Sequence, residues 1–126
     1  MPSLNTSSVN SQADNLGTDY ATATLIIYDG TPPANANTGL SGNTVLVTHT
    51  LTGWAASVAG VIVANAIATE TIAATGTASF ARLALATETM QITVGTGAQE
   101  LVVSSTSYVS GEDSTINSLQ ITQPAS

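Results

Sequence analysis

The sequence contains no cysteine and almost no positive charge. Of its 126 residues, Arg82 alone is basic, against eight acidic residues, which gives a formal net charge of -7. The lack of cysteine excludes disulfides, thiol catalysis and thiolate zinc sites. Proteins that bind nucleic acids or anionic membrane surfaces use several Lys or Arg side chains to do so. We therefore expect no direct binding to nucleic acid and no association with membranes.

The chain also lacks a long hydrophobic run. Its most apolar window, residues 55–68, is interrupted by Ser57, Gly60 and Asn65, and it is shorter than the roughly 20 residues that cross a bilayer. Residues 1–17 are polar and do not have the basic and apolar segments of a signal peptide. We expect neither a membrane-spanning segment nor a secretion signal.

What is present is a series of short runs rich in β-branched residues, separated by Gly, Pro, Asn and Asp. The composition, 43% hydrophobic and 7% charged, does not fit disorder, which combines low hydrophobicity with dense charge. Short runs separated by turn residues are typical of strands in a sandwich or barrel. The predicted strands are residues 22–28, 43–51, 60–68, 75–86, 89–94, 100–105 and 115–122.

These runs predict an all-β fold, a single-domain β-sandwich or jelly-roll of about seven to eight strands over residues 21–126. Residues 1–20 are polar and without periodicity, and we interpret them as an extended N-terminal arm, either frayed or lying on a contact surface. Residues 55–74 are rich in alanine, so a helix is the competing interpretation there. Their β-branched residues and Gly60 favour strand.

Alternation along the runs predicts which side chains share a face. In the run 43–51, Val45, Val47, His49 and Leu51 are expected on the inward face. In the run 75–86, Phe80 and Arg82 share one face, and Ala81, Leu83 and Leu85 share the other. Met90, Ile92 and Val94 are expected to point inward.

Two further elements follow from composition. Residues 60–68 are almost continuously apolar, which predicts a strand buried on both faces. Gly95-Thr96-Gly97 is the only G-x-G of the chain, and it lies between two predicted strands instead of opening a helix. It therefore predicts a hairpin turn and not a phosphate-binding loop.

No group of residues points to catalysis. His49 is the only histidine, and its position between Val47 and Leu51 predicts a core or interface side chain. The sequence has no G-x-S-x-G nucleophile motif, and Glu112-Asp113 lies in a Ser-Gly turn, where acids bond to local amides. The stretch 14–19 lacks the spacing of a calcium loop. We predict a non-enzyme with no catalytic residue, no cofactor, no metal and no small-molecule substrate.

Two features suggest contact with other polypeptides. The first is a loop over residues 29–42, which is long for a compact domain, nearly uncharged and stiffened by two prolines. The second is Arg82, which either pairs with an acid of its own chain or binds a carboxylate of another. The candidate protein-contact residues are Tyr28, Asp29, Thr31, Pro32, Pro33, Asn35, Asn37, Leu40 and Arg82.

Three segments carry a resemblance to a known family: LIIYDGTPPANANTGLSGNTVLVTHTL, GVIVANAIATETIAATGTASFARL and TSYVSGEDSTINSLQIT. Over roughly residues 22–122 the chain resembles small structural proteins encoded in the head–tail gene clusters of tailed bacteriophages and prophages. The most specific part is Leu25 to Leu46, followed by Ala64 to Arg82. The resemblance implies a non-enzymatic virion component, and within such clusters most specifically a head decoration, or cement, protein bound over the capsid lattice.

The resemblance implies the major capsid protein and copies of the chain itself as partners. It places the protein on the capsid surface of the virion, and in the host cytoplasm during assembly. A core of small side chains fits this expectation, because association would add to the stability of the monomer. The alternatives are a tail or head–tail junction protein and a carbohydrate-binding β-module. For the last of these, Trp54 is either an exposed binding aromatic or a core residue.

Overall fold

Eleven β-strands make up most of the regular structure in the described part of the chain. The fold is that of a computed structural model, which describes residues 14–15, 17–34, 39–40, 42–58, 60–85, 89–97 and 100–122. The strands are β1 (Thr24–Tyr28), β2 (Val45–Thr50), β3 (Val61–Val63), β4 (Glu70–Thr71), β5 (Gly76–Thr77), β6 (Phe80–Ala84), β7 (Thr89–Gly95), β8 (Leu101–Val103), β9 (Ser107–Tyr108), β10 (Asp113–Ser114) and β11 (Ile116–Thr122).

Seven strands form one mixed sheet, in the order β2-β1-β6-β7-β8-β11-β3, and two small sheets pair β10 with β4 and β5 with β9. The large sheet curls, because the chain that continues from its edge strand β2 pairs with β3 at the opposite edge. Ala55 N donates to Val63 O at 2.8 Å, and Asn65 N donates to Gly53 O at 2.9 Å. The prediction of an all-β, sandwich-like domain is confirmed, with seven strands in the main sheet.

The main core lies on one face of the sheet and is built from small and medium aliphatic side chains. The alternation predicted for β6 is present: Ala81 and Leu83 join the core cluster, while Phe80 and Arg82 are not part of it. Ile92 of β7 is also in the core, with Met90 and Val94 packed against it. Within the described residues, every buried side-chain nitrogen or oxygen has a hydrogen-bond partner.

One residue of β2 departs from the predicted alternation. Ile27 pairs with Val47 and Tyr28 pairs with Val45, so Leu46 is an extra residue between these pairs. Such a bulge shifts the side-chain parity by one. Leu46 is therefore buried, and Val45, predicted to point inward, is exposed.

The predicted buried strand over 60–68 is wrong in extent. Only Val61–Val63 is a strand, paired with β11. After Ala64 the main chain changes partners: Ala66 O accepts from Thr52 Oγ1, and Ala68 O lies 2.9 Å from His49 Nδ1. The expected burial on both faces is also wrong, because Val63, Asn65, Ala66 and Ala68 are exposed.

The predicted hairpin at residues 95–97 is also wrong, because β7 and β8 run parallel. Val94 pairs with Leu101, and Gly95 pairs with Val102. The connection between the two strands turns back, so that Leu101 lies beside Val94. It is held where Glu100 Oε1 accepts from Thr93 N at 3.1 Å and Glu100 N donates to Thr93 Oγ1 at 3.1 Å.

The described part of the predicted N-terminal arm is helical and not extended. Residues 14–15 and 17–19 form a helical turn, in which Thr18 Oγ1 donates to the carbonyl of Asp14. This turn docks on the segment after β2, since Asp14 Oδ1 accepts from Ser57 N at 2.8 Å and Trp54 Nε1 donates to Tyr20 O at 3.0 Å. These long-range bonds, which the local sequence does not reveal, account for the difference. Residues 1–13 lie outside the described part.

Candidate protein-contact loop

A second buried cluster lies on the face of the sheet opposite the main core. Tyr28 and Phe80 are directly paired across β1 and β6, and their rings stack with centroids 5.1 Å apart. Both are buried, although neither belongs to the main core cluster. Arg82, on the same face of β6, is also buried, with 8% of its surface exposed. Something other than the main core must therefore cover this face.

The loop after β1 reaches this face and is bonded to it. Gln91 is the cross-strand neighbour of Arg82, and its Oε1 accepts from Arg82 Nε at 3.2 Å and from Arg82 Nη2 at 3.0 Å. Gln91 Nε2 then donates to the carbonyl of Pro33 at 2.7 Å. Because the guanidinium occupies the amide oxygen, the amide nitrogen is oriented towards the loop.

The base of the loop is closed by a second set of hydrogen bonds. Asp29 Oδ1 accepts from Thr44 N at 2.6 Å. Asn43 Nδ2 donates to the carbonyls of Asp29 at 2.8 Å and Thr31 at 3.1 Å. Gly30 has a φ of 81°, a left-handed conformation that favours glycine, and a Cβ there would lie 2.9 Å from Asn43 Nδ2. The loop therefore leaves and rejoins the sheet in a fixed geometry.

Ser79, which immediately precedes β6, ties the loop to the sheet from the other side. Its hydroxyl donates to the carbonyl of Gly30 at 2.6 Å and lies 3.3 Å from the carbonyl of Tyr28. Its main-chain N–H also donates to Tyr28 O at 3.0 Å. Together with Asn43 and Gln91, Ser79 makes the described part of the loop a pre-organised structure.

The described contact residues that the sequence predicted fall into three groups by exposure. Thr31, Pro32 and Leu40 are exposed on the loop, and Asp29 and Pro33 are half-buried at its anchor points. Tyr28 and Arg82 are buried beneath the loop, so their role in this chain is to support it. Asn35 and Asn37 lie outside the described residues. The exposed Val45 at the start of β2 adjoins the end of the loop.

The electrostatics of the buried cluster depend on Arg82. Burial raises the pKa of the Tyr28 hydroxyl, and the positive charge of Arg82 acts in the opposite direction. The effect of burial is the larger one, so the pKa of Tyr28 lies above its ordinary value of about 10 and the hydroxyl is neutral at physiological pH. Gln91, Asn43 and Ser79 were missed from sequence. The signal available was the hairpin register of residues 80–84 and 89–93, which places Arg82 opposite Gln91.

His49 belongs to a separate network inside the main core. Its side chain is fully buried, Nδ1 lies 2.9 Å from Ala68 O, and Nε2 lies 3.0 Å from Ser114 Oγ. The Ser114 hydroxyl lies 3.3 Å from Tyr108 Oη. A carbonyl oxygen only accepts, so Nδ1 carries the hydrogen. With Ser114 only 2% exposed, this His–Ser pair is structural and has no access to a substrate.

Burial lowers the pKa of His49, while the bond to the Ala68 carbonyl and the charge of Glu70 act to raise it. The neutral imidazole is therefore favoured in the folded protein. Burial also raises the pKa of Tyr108, and the hydrogen bond to Ser114 acts against that shift.

Comparison of the chain with protein-family models, with curated proteins and with solved structures finds no match. Across the ranges that the structure describes, no helix has the length and hydropathy needed to cross a membrane. In the same ranges, no three His, Asp or Glu side chains come together in a way that could hold a metal ion.

Proposed function

We propose that the chain is a non-enzymatic structural protein of a tailed-phage virion, acting as a capsid decoration protein bound over the lattice of the major capsid protein. The observation that carries the proposal is the anchored loop after β1. It is uncharged from residue 30 to residue 44; its two ends are hydrogen-bonded to each other through Asp29 and Thr44, and its Pro33 is bonded to Gln91 of the sheet. Because the described part of the loop is anchored before binding, that part loses less conformational entropy on binding than a free segment would. The sequence resemblance over residues 22–122 supports the same role.

Burial of the candidate acid–base residues supports a role without catalysis. His49 and Ser114 are enclosed in the core and bonded to each other. A nucleophile and base must lie within hydrogen-bond reach of a substrate in order to act. The buried pair therefore contributes to the fold.

The proposed action is mechanical. The exposed loop residues Thr31, Pro32 and Leu40, together with Val45, would contact capsid subunits, and the bound chain would bridge neighbouring subunits and copies of itself. Specific, stable interfaces bury about 1,200–2,000 Å² in total. Such burial on the outside of the head opposes the outward pressure of the packaged genome. The protein would then be found on the capsid surface, and in the host cytoplasm before assembly.

Co-sedimentation with empty heads tests the proposal. Heads would be assembled from the major capsid protein of the same gene cluster, mixed with the purified chain and sedimented. We expect saturable binding with copy numbers in the hundreds per head. Leu40→Asp places a charge on the loop surface and should lower occupancy at least tenfold.

Val58→Asp is the matched control. It introduces the same charge at an apolar side chain that is 75% exposed, in a turn beyond the end of β2 opposite the loop. Its occupancy should equal that of the natural chain. Saturation at a dozen copies or fewer would instead support the head–tail junction, and the absence of binding to heads would refute decoration.

A further inference from the structure

A groove of about 530 Å³ lies at the opposite end of β2 from the contact loop. It is bounded by the helical residues 14–15 and 17–19 and by the segment that follows β2. Its volume is in the range of sites that bind small molecules, about 300–1,000 Å³. Its interior is lined by the buried Ile62 and the half-buried Trp54. Its rim is lined by three exposed polar residues, Asp14, Thr18 and Asn65.

Trp54 presents hydrocarbon to the groove and not its polar atom. Its indole N–H is directed to the carbonyl of Tyr20, at 3.0 Å. Gly17 faces the same apolar surface, and a Cβ added there would lie 3.4 Å from Trp54 Cβ and 3.6 Å from Ile62 Cδ1. The absence of a side chain at position 17 therefore leaves this apolar surface uncovered by the described part of the helical turn.

The rim of the groove is polar, and its carboxylate is held in place. Asp14 Oδ1 accepts from Ser57 N at 2.8 Å, which holds the carboxylate at the edge of the groove and leaves Oδ2 to accept from a ligand. Asn65 Nδ2 lies above Gly53, at 3.2 Å from the position of a Cβ on that residue. The rim thus offers a carboxylate, an amide and a hydroxyl around an apolar interior.

These features restrict the class of ligand. No cation lines the groove among the described residues, and Asp14 repels anions, so phosphates and acidic sugars fit poorly. The main chain of the groove walls is already paired, as in Ala55 N to Val63 O and Ala64 N to Leu119 O, each at 2.8 Å. An extended peptide would therefore find few main-chain partners. The ligand needs an apolar ring face and uncharged hydroxyl groups at its edge.

We infer that this groove binds a neutral saccharide, with a sugar ring against Trp54 and hydroxyl groups bonded to Asp14 and Asn65. The inference is independent of the proposed role on the capsid, since it concerns the other end of the molecule.

Tryptophan fluorescence tests the inference directly, because Trp54 is the only tryptophan of the chain. A glycan array that includes neutral, sialylated and sulfated glycans would select candidates. Maltotriose, cellotriose and chitotriose would then be titrated against the full chain. We expect a saturable change in emission with at least one neutral saccharide and none with the acidic glycans.

Two variants locate the site. Asn65→Ala should weaken saccharide binding about tenfold, which corresponds to the loss of one good hydrogen bond. Gly17→Ala should also weaken it by covering part of the apolar surface, while alanine favours the helical conformation and preserves the fold. Asn117→Ala is the matched control, because it removes an exposed amide that belongs to β11 and does not line the groove. This variant should bind within twofold of the natural chain.

Three outcomes would overturn the inference. The first is the absence of any neutral saccharide binding on the array and in the titrations. The second is saccharide binding that Asn65→Ala and Gly17→Ala leave unchanged, which places the site elsewhere. The third is saturable binding of a peptide from a peptide library, weakened by Asn65→Ala and by Gly17→Ala, in a chain that binds no saccharide. None of these outcomes changes the result that we expect from the co-sedimentation with heads, so the two proposals can fail separately.

Discussion

The guanidinium of Arg82 donates two hydrogen bonds to one oxygen, the Oε1 of Gln91, across β6 and β7. The only basic residue of the chain thereby orients an amide whose nitrogen holds the carbonyl of Pro33. A buried charge is tolerated only with good partners. The same bonds that satisfy Arg82 therefore also anchor the contact loop.

Gln91→Ala should lower the free energy of unfolding by about 1–3 kcal/mol, because it removes an acceptor from two buried Arg82 N–H groups and a donor from Pro33. Urea denaturation measures this change. Gln120→Ala, an exposed glutamine of β11, is the control and should stay within about 0.5 kcal/mol of the natural chain. Equal effects of the two substitutions would contradict the anchoring role of Gln91.

Phe80→Ala should destabilise the protein by about 3–5 kcal/mol, as expected for a fully buried aromatic residue. Because Phe80 stacks on Tyr28 beneath the loop, hydrogen exchange at the Thr44 amide, which bonds to Asp29 at the base of the loop, should accelerate. Phe80→Leu should keep more of the stability. Unchanged exchange at Thr44 in Phe80→Ala would show that the loop does not depend on the aromatic pair.

The stability of the protein should fall as the pH falls below about 6.5, the ordinary pKa of histidine. The pKa of His49 is lowered in the folded state, so in this range the unfolded chain binds a proton and the folded chain does not. Above about pH 6.5 both states are neutral, and the contribution of His49 is fully present. It is lost as the pH falls towards the lowered pKa. Unfolding free energies measured at pH 7.5, 6.5 and 5.5 test this.

Since His49 is the only histidine, the variant His49→Gln serves as the control for that pH dependence. We expect it to be less stable at pH 7.5, because it loses the partners Ala68 and Ser114, and to vary less between pH 7.5 and 5.5. A slope as steep as that of the natural chain would show that the pH dependence does not come from His49.

Glu100→Ala should lower the free energy of unfolding by about 0.5–1.5 kcal/mol through loss of its bond from Thr93 N. Glu100→Gln keeps an oxygen acceptor and should change stability by less than Glu100→Ala. Thermal or urea unfolding distinguishes the two variants. If both substitutions have the same effect, the closure of the parallel β7–β8 connection depends on the negative charge and not on the hydrogen bond.

The sequence predicted the elements whose signal is local. The strands β1, β2 and β11 lie within the predicted runs, and the faces of β6 follow the predicted alternation, because side chains alternate along a strand whatever its neighbours are. The length and neutrality of the loop after β1 were also evident from the sequence, and they led to the prediction of Thr31, Pro32 and Leu40 as contact residues. The aromatic pair of Tyr28 and Phe80 was not predicted, because it requires the register of β1 with β6.

What the sequence by itself determined is the all-β class, the alternation of its strands and the absence of thiol chemistry, since these depend on composition and on neighbours along the chain. Tertiary structure decided the bulge at Leu46, the parallel pairing of β7 with β8 and the burial of Arg82 beneath a loop. Each of these depends on which distant segment supplies a hydrogen-bond partner. Which segment becomes the partner depends on the free energy of the whole fold, so it cannot be predicted from the local sequence.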